Sequence, residues 1–201
     1  MPLQIIDPPM AAYEAARSTI ANLASQAAFR TPALRRADPA AIALSTPHRM
    51  AILRLDRIRG ANDVRSVVDI KGWRFLVHEG TRVVAAVDAV QTDKGEYLFG
   101  QVNEGPFTVG TEDAIRRAEK LDQVHRGRFV PVFLLVPALY AAALWLEDQD
   151  GDADLVMTMP PAPKNLSPFG PMEVHPFLAV LEGLAALVPA EDKKSKDPSG
   201  G

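Results

Sequence analysis

Apolar positions change period twice along this chain of 201 residues. After Asp7-Pro8, the residues Tyr13, Ala16, Ile20, Leu23, Ala24 and Ala27 fall on one helical stripe, with Glu14, Arg17 and Gln26 elsewhere. The many alanines predict a helix that packs closely on its neighbour. Thr31-Pro32, Asp38-Pro39 and Thr46-Pro47 repeat the helix-start signature. In each, a side-chain oxygen can accept a free N–H while proline presets φ. These pairs predict short helical turns between Pro32 and Leu44. Residues 47–58 fit two patterns: Ile52, Leu55 and Ile58 suit a helix, whereas Leu53-Arg54-Leu55-Asp56 alternates like a strand.

From Val64 the period shortens. VRSVVDI, WRFLVH, TRVVAAVDAVQ and EYLFGQV are four runs rich in β-branched and aromatic residues. Glu79-Gly80 and Asp93-Lys94-Gly95 punctuate them as hairpin turns, which predicts an antiparallel meander. Helical spacing returns at Thr111. Glu112–Arg116 and Asp113–Arg117 are ordered i,i+4 pairs, each worth only about 0.2–0.5 kcal/mol. Ile115, Ala118 and Leu121 give a narrow apolar stripe, so this helix is expected on the surface.

Residues 129–146 carry no charge over 18 positions, the lower edge of a membrane-spanning length. Pro131 and Pro137 interrupt the stretch, and Val130–Val136 is rich in strand formers. Interior sheet is therefore the expected reading, because buried strands also read as continuous apolar runs. A proline-rich loop, PPAPKNLSPFGPM, is followed by a last helix near Pro176–Val188, buried through Phe177, Val180, Leu181, Leu184 and Leu187. Together these elements predict a single α+β domain over residues 1–188. An antiparallel sheet of about five or six strands would pack against N-terminal and C-terminal helices. Residues 189–201 are polar and charged, the composition of a disordered tail.

Composition narrows the chemistry more than it suggests any. Net charge is −3 and cysteine is absent, which removes disulfides, zinc–thiolate sites, iron–sulfur clusters and Cys nucleophiles. The N-terminus lacks a basic region followed by an apolar run, so a soluble cytoplasmic protein is expected. No GxSxG or SxxK motif is present, nor any dinucleotide or phosphate-binding glycine loop, and no cofactor is expected. NEGPFTVGTED, residues 103–113, is the nearest substitute for an anion-binding loop.

The acidic stretch EDQDGDADLV resembles the opening of an EF-hand calcium loop at Asp148, Asp150 and Asp152. The pattern fails at Ala153, where the loop needs glycine, and at Met159, where it needs a bidentate Glu. A hairpin tip is therefore favoured over calcium. The four histidines are not spaced as helical metal pairs. Candidate catalytic pairs are His78 with Glu79, and His175 with Glu173, in a hydrolase-like site assembled from distant segments.

Eight arginines stand between Arg30 and Arg65 against three aspartates, without an interleaved aromatic. This disfavours nucleic-acid recognition through a basic patch with interleaved aromatics and leaves a weak nucleic-acid binder through Arg30–Arg65 as the second alternative, after the hydrolase-like enzyme. The leading expectation is a non-catalytic protein-interaction or assembly module, able to self-associate. Its interaction strip would be residues 160–171, with Pro160, Pro161, Pro163 and Phe169 docking on a protein partner.

Overall fold

The computed structural model describes residues 3–26, 28–29, 32–151 and 153–189. Ala27, Arg30, Asp152 and the expected tail from residue 190 onward lie outside these residues. Helix α1 spans Met10–Ser25 and buries Ala12, Ala16 and Ile20, with Tyr13, Leu23 and Ala24 packed beside them. The predicted stripe therefore faces the core. The start differs in detail: Pro9, not Asp7, precedes the helix, and its carbonyl accepts the N–H groups of Ala12 and Tyr13.

Among the described residues, eight strands form one sheet, where five or six were expected. They are β1 Ile42–Leu53, β2 Val68–Glu79, β3 Arg82–Gln91, β4 Tyr97–Asn103, β5 Phe129–Val136, β6 Ala141–Asp148, β7 Leu155–Met159 and β8 Pro171–Glu173. Their order across the sheet is β4-β3-β2-β1-β5-β6-β7-β8. Two meanders thus meet at β1 and β5, the parallel pair in an otherwise antiparallel sheet.

β1 settles the ambiguity at Pro47 in favour of a strand. Thr46-Pro47 does not start a helix. Thr46 takes a φ of +47° and the β1–β2 register shifts between Ser45 and His48. Proline is tolerated inside a strand at such a bulge because no ladder N–H is needed there. The runs VRSVVDI and WRFLVH are not two strands: after a helical turn at Val64–Ser66 the chain continues straight through β2. Gly72 permits this with a φ of +150°, and a Cβ there would lie 2.0 Å from the Ala89 carbonyl oxygen.

Residues 129–146 are interior sheet, as β5 and β6 joined by a turn at Pro137–Leu139. No helix among the described residues is long and apolar enough to cross a membrane. Helix α4, Val174–Ala185, buries Val174, Phe177, Leu178 and Leu181 against Ala51, Leu53, Val132, Leu134 and Trp145. Trp73, Phe75 and Val77 pack with α1. The register pairs Arg49↔Trp73 and Arg49↔Val132 place both helices on one face of the sheet.

The opposite face is covered by α2, Pro106–Ala118, followed by the short α3, Asp122–Arg126. This corrects the expectation of a surface helix beginning at Thr111. Gly105, with a φ of +113°, precedes Pro106 at the first helical position. The buried stripe consists of Thr108, Gly110, Thr111, Ala114, Ile115 and Ala118. Apart from Ile115 it is made of small residues, so it packs closely while its first turns read as weakly apolar. The Thr111 hydroxyl donates to the Phe107 carbonyl at 2.7 Å, which removes its burial penalty.

Candidate functional site

The α2-facing side of the sheet carries a polar row where a core would ordinarily be apolar. Gln101, Asp88, Arg74 and His48 are register partners in succession across β4, β3, β2 and β1. Arg74 is 4% exposed and Asp88 is fully buried. Arg74 donates from Nε to Asp88 Oδ1 at 2.7 Å and from Nη2 to Oδ2 at 2.8 Å. Gln101 and Asn103 add side-chain N–H donors to Oδ2 at 3.2 and 2.9 Å. The two Asp88 oxygens therefore accept four hydrogen bonds. The guanidinium lies 3.7 Å from the centroid of the Phe133 ring, stacked on its face.

His48 ends the row. Its Nδ1 lies 2.7 Å from the Thr46 carbonyl, which can only accept, so Nδ1 carries the proton. Burial, with the Arg74 charge in support, lowers the His48 pKa to about 4, and the ring is neutral. Nε2 is then a buried lone pair with no hydrogen-bond partner among the described residues.

A cavity of about 330 Å³ opens over Arg74, between the sheet and the start of α2. Gln101, Asn103 and Thr108 supply its remaining polar wall. Phe107, Phe133, Leu135, Pro137 and Tyr140 supply an apolar one, with the Phe107 and Tyr140 rings 5.8 Å apart. Glu104 also borders the cavity, but its Oε1 accepts the backbone N–H groups of Ala33 and Leu34, both at 3.0 Å. This pocket lies at the 103–113 stretch, which is the end of β4 and the start of α2 rather than a loop, although its buried guanidinium comes from β2. Sequence reading missed Arg74 because it sits in an apolar run without a motif, and its partner Asp88 is 14 residues away on the next strand.

The predicted catalytic residues are not brought to this cavity. His78 and Glu79 end β2, while Glu173 ends β8 and His175 opens α4, with four strands between β2 and β8. Arg82, then the Asp38 N–H, hold the Glu79 carboxyl below its ordinary range. His78 Nε2 is buried without a partner among the described residues. Glu173 and His175 are exposed.

The acidic stretch closes a hairpin between β6 and β7. Asp148 accepts the N–H groups of Asp150 and Ala153, and Asp150 pairs with Arg128. The residue that anchors the loop is Asp154, which is buried. It accepts from the Trp145 indole at 2.8 Å, the Asp148 N–H at 2.8 Å and Arg65 at 2.9 Å. Burial pushes its carboxyl up, against these three donors. No cluster of potential metal ligands is found among the described residues, and Asp152 lies outside them.

The arginines between residues 49 and 65 are largely paired. Arg49 meets Glu147, Arg54 meets Asp56 and Asp69, Arg57 meets Asp69, and Arg65 meets Glu147 and Asp154. The proline-rich segment is anchored rather than a free strip. Leu166 is in the α4 core, Thr158 donates to the Ser167 carbonyl, and Phe169 is half-buried beneath Arg117, 4.6 Å from its ring centroid. Pro160, Pro161 and Pro163 lie in the bend that leads to these anchors.

β4 borders the cavity through Gln101 and Asn103 and forms one edge of the sheet. Its seven residues, YLFGQVN, carry no charge, and Leu98 and Phe99 are 56% and 41% exposed. The other edge, β8, has three residues and begins with proline. A scan of protein-family models, a search of curated proteins and a search of solved structures each find no match to this chain.

Proposed function

We propose that the protein is a non-catalytic interaction module that assembles by adding the β4 strand of a second copy to its own β4. The observation that carries this reading is the contrast between the two sheet edges. Monomeric proteins protect an edge by keeping it short or placing Pro, Lys or a bulge on it. β8 is protected in this way. β4 is longer and uncharged and exposes two large apolar side chains, although it carries a bulge at Gly100, where the β3–β4 register shifts. An uncharged strand can pair with its own copy without opposing like charges within those seven residues, as cross-strand pairing requires. The interaction surface thus moves from residues 160–171 to β4, since Leu166 and Phe169 already face this chain's own core.

Light scattering of the full chain, from micromolar to near-millimolar concentration, tests the proposal. A dimer mass is expected for the parent chain. Leu98→Lys with Phe99→Lys should give the monomer mass, with a melting temperature within a few degrees of the parent. A monomer at every concentration, or a dimer unaffected by the two lysines, would overturn it.

A further inference from the structure

We infer that the cavity over Arg74 binds an uncharged, flat molecule that presents a carboxamide to its polar wall. The inference is independent of assembly through β4. It begins with charge. The groups at and beneath the cavity are one cation, Arg74, and two anions, Asp88 and Glu104, and all three have local partners. A ligand carboxylate would meet a guanidinium already held by Asp88 through two N–H groups, with the Asp88 and Glu104 charges close by. A ligand cation would find the Asp88 oxygens filled by four donors and Glu104 Oε1 turned to the backbone of Ala33 and Leu34. Burying a charge without its own partner is costly, so both ions are disfavoured.

The remaining polar capacity is neutral and mixed. Gln101 and Asn103 each use one side-chain N–H on Asp88. A primary amide has two N–H donors and a carbonyl acceptor, so each retains a donor and an acceptor. The Arg74 bonds to Asp88 come from Nε and Nη2, which leaves the Nη1 donors outside that pair. A wall of this kind matches a group that both donates and accepts over a short span, as a carboxamide does. The opposite wall is Phe107, Phe133 and Tyr140, with Leu135 and Pro137 between, which suits an aromatic ring. The volume lies at the small end of ligand pockets, which run from about 300 to 1,000 Å³. It accommodates one substituted ring rather than a nucleotide or an extended peptide.

Three probes of nearly identical shape isolate the charge: benzamide, benzoate and benzamidinium, neutral, negative and positive at pH 7. Each is titrated into the full chain and followed by calorimetry and saturation-transfer NMR. Benzamide is expected to bind at least tenfold more tightly than either ion. Tyr140→Ala removes a largely exposed ring outside the polar row, and Asn103→Leu removes an amide. Each should weaken benzamide binding several-fold, with melting curves confirming the fold. Because Asn103 also supports Asp88, Tyr140→Ala keeps the test valid if Asn103→Leu unfolds. Equal or tighter binding of benzoate or benzamidinium would overturn the inference. So would no binding of benzamide at millimolar concentration, or benzamide binding indifferent to Tyr140→Ala.

Discussion

His48 and Gly72 illustrate how single residues constrain this fold. Folding holds His48 neutral, with its pKa lowered from 6.5 to about 4 mainly by burial. The unfolded chain therefore binds more protons in that interval. The associated stability is fully present above pH 6.5 and is lost as pH falls toward 4. Between pH 7 and pH 5 the loss is about 2 kcal/mol at 1.36 kcal/mol per pH unit. Urea unfolding at the two pH values, compared with His48→Gln, should show that share of the slope missing from the variant. An identical slope in both would refute a neutral buried imidazole. Gly72→Ala should cost about 3 kcal/mol or more, since it combines a positive φ with a Cβ 2.0 Å from the Ala89 carbonyl. A Tm within a few degrees of the parent would contradict that packing.

Among the elements, the acidic hairpin shows how an incomplete motif is told from a complete one. Alternating aspartates resemble a cation loop, yet the failures at Ala153 and Met159 favour a hairpin tip, and the stretch does join β6 to β7 with each described aspartate facing a protein donor. Asp154→Ala should destabilise by about 2–4 kcal/mol, because it strands the Trp145 and Asp148 N–H groups and one Arg65 contact. Millimolar calcium should leave the parent's thermal midpoint unchanged, and a rise of several degrees would restore the metal reading. β3 and β4 were legible because their β-branched runs lie between explicit turns, whereas β2 reads in sequence as two runs. α1 and most of α4 were legible through large or repeated apolar residues, but α4 ends at Ala185 and Leu187, expected on its buried face, is 81% exposed. α2 was not legible, since Thr108, Gly110 and Thr111 form a contact face that hydropathy does not register. β1 was ambiguous because a bulge interrupts its period at Thr46-Pro47. Of the candidate site, the 103–113 stretch was visible, though as a loop and not as the start of α2, whereas Arg74 and Asp88 become a pair only through strand register.

For the whole molecule, the three layers share their cores across the two meanders. The α4 core takes Ala51 and Leu53 from the first and Val132, Leu134, Trp145 and Val156 from the second. Neither half can keep its buried surface alone. Calorimetry should therefore give one unfolding transition, with near-UV and far-UV dichroism changing together. Two separated transitions would indicate independent halves. The sequence expectation of one domain rests on the run of predicted elements over residues 1–188. The shared core supplies the physical basis for that expectation, and helices on both faces replace the one-sided layout.

The parallel pairing of β1 with β5 also sets a schedule on the ribosome. Arg49 meets Val132, 83 residues later in the chain. At about 5–20 residues per second, translation leaves that flank of β1 waiting roughly 4–17 s. Throughout that interval Met50–Leu53 offers an apolar, unzipped border to any passing nascent chain. The newborn protein is most vulnerable to tangling just before β5 emerges, and a chaperone that shields this border would have the largest effect on yield.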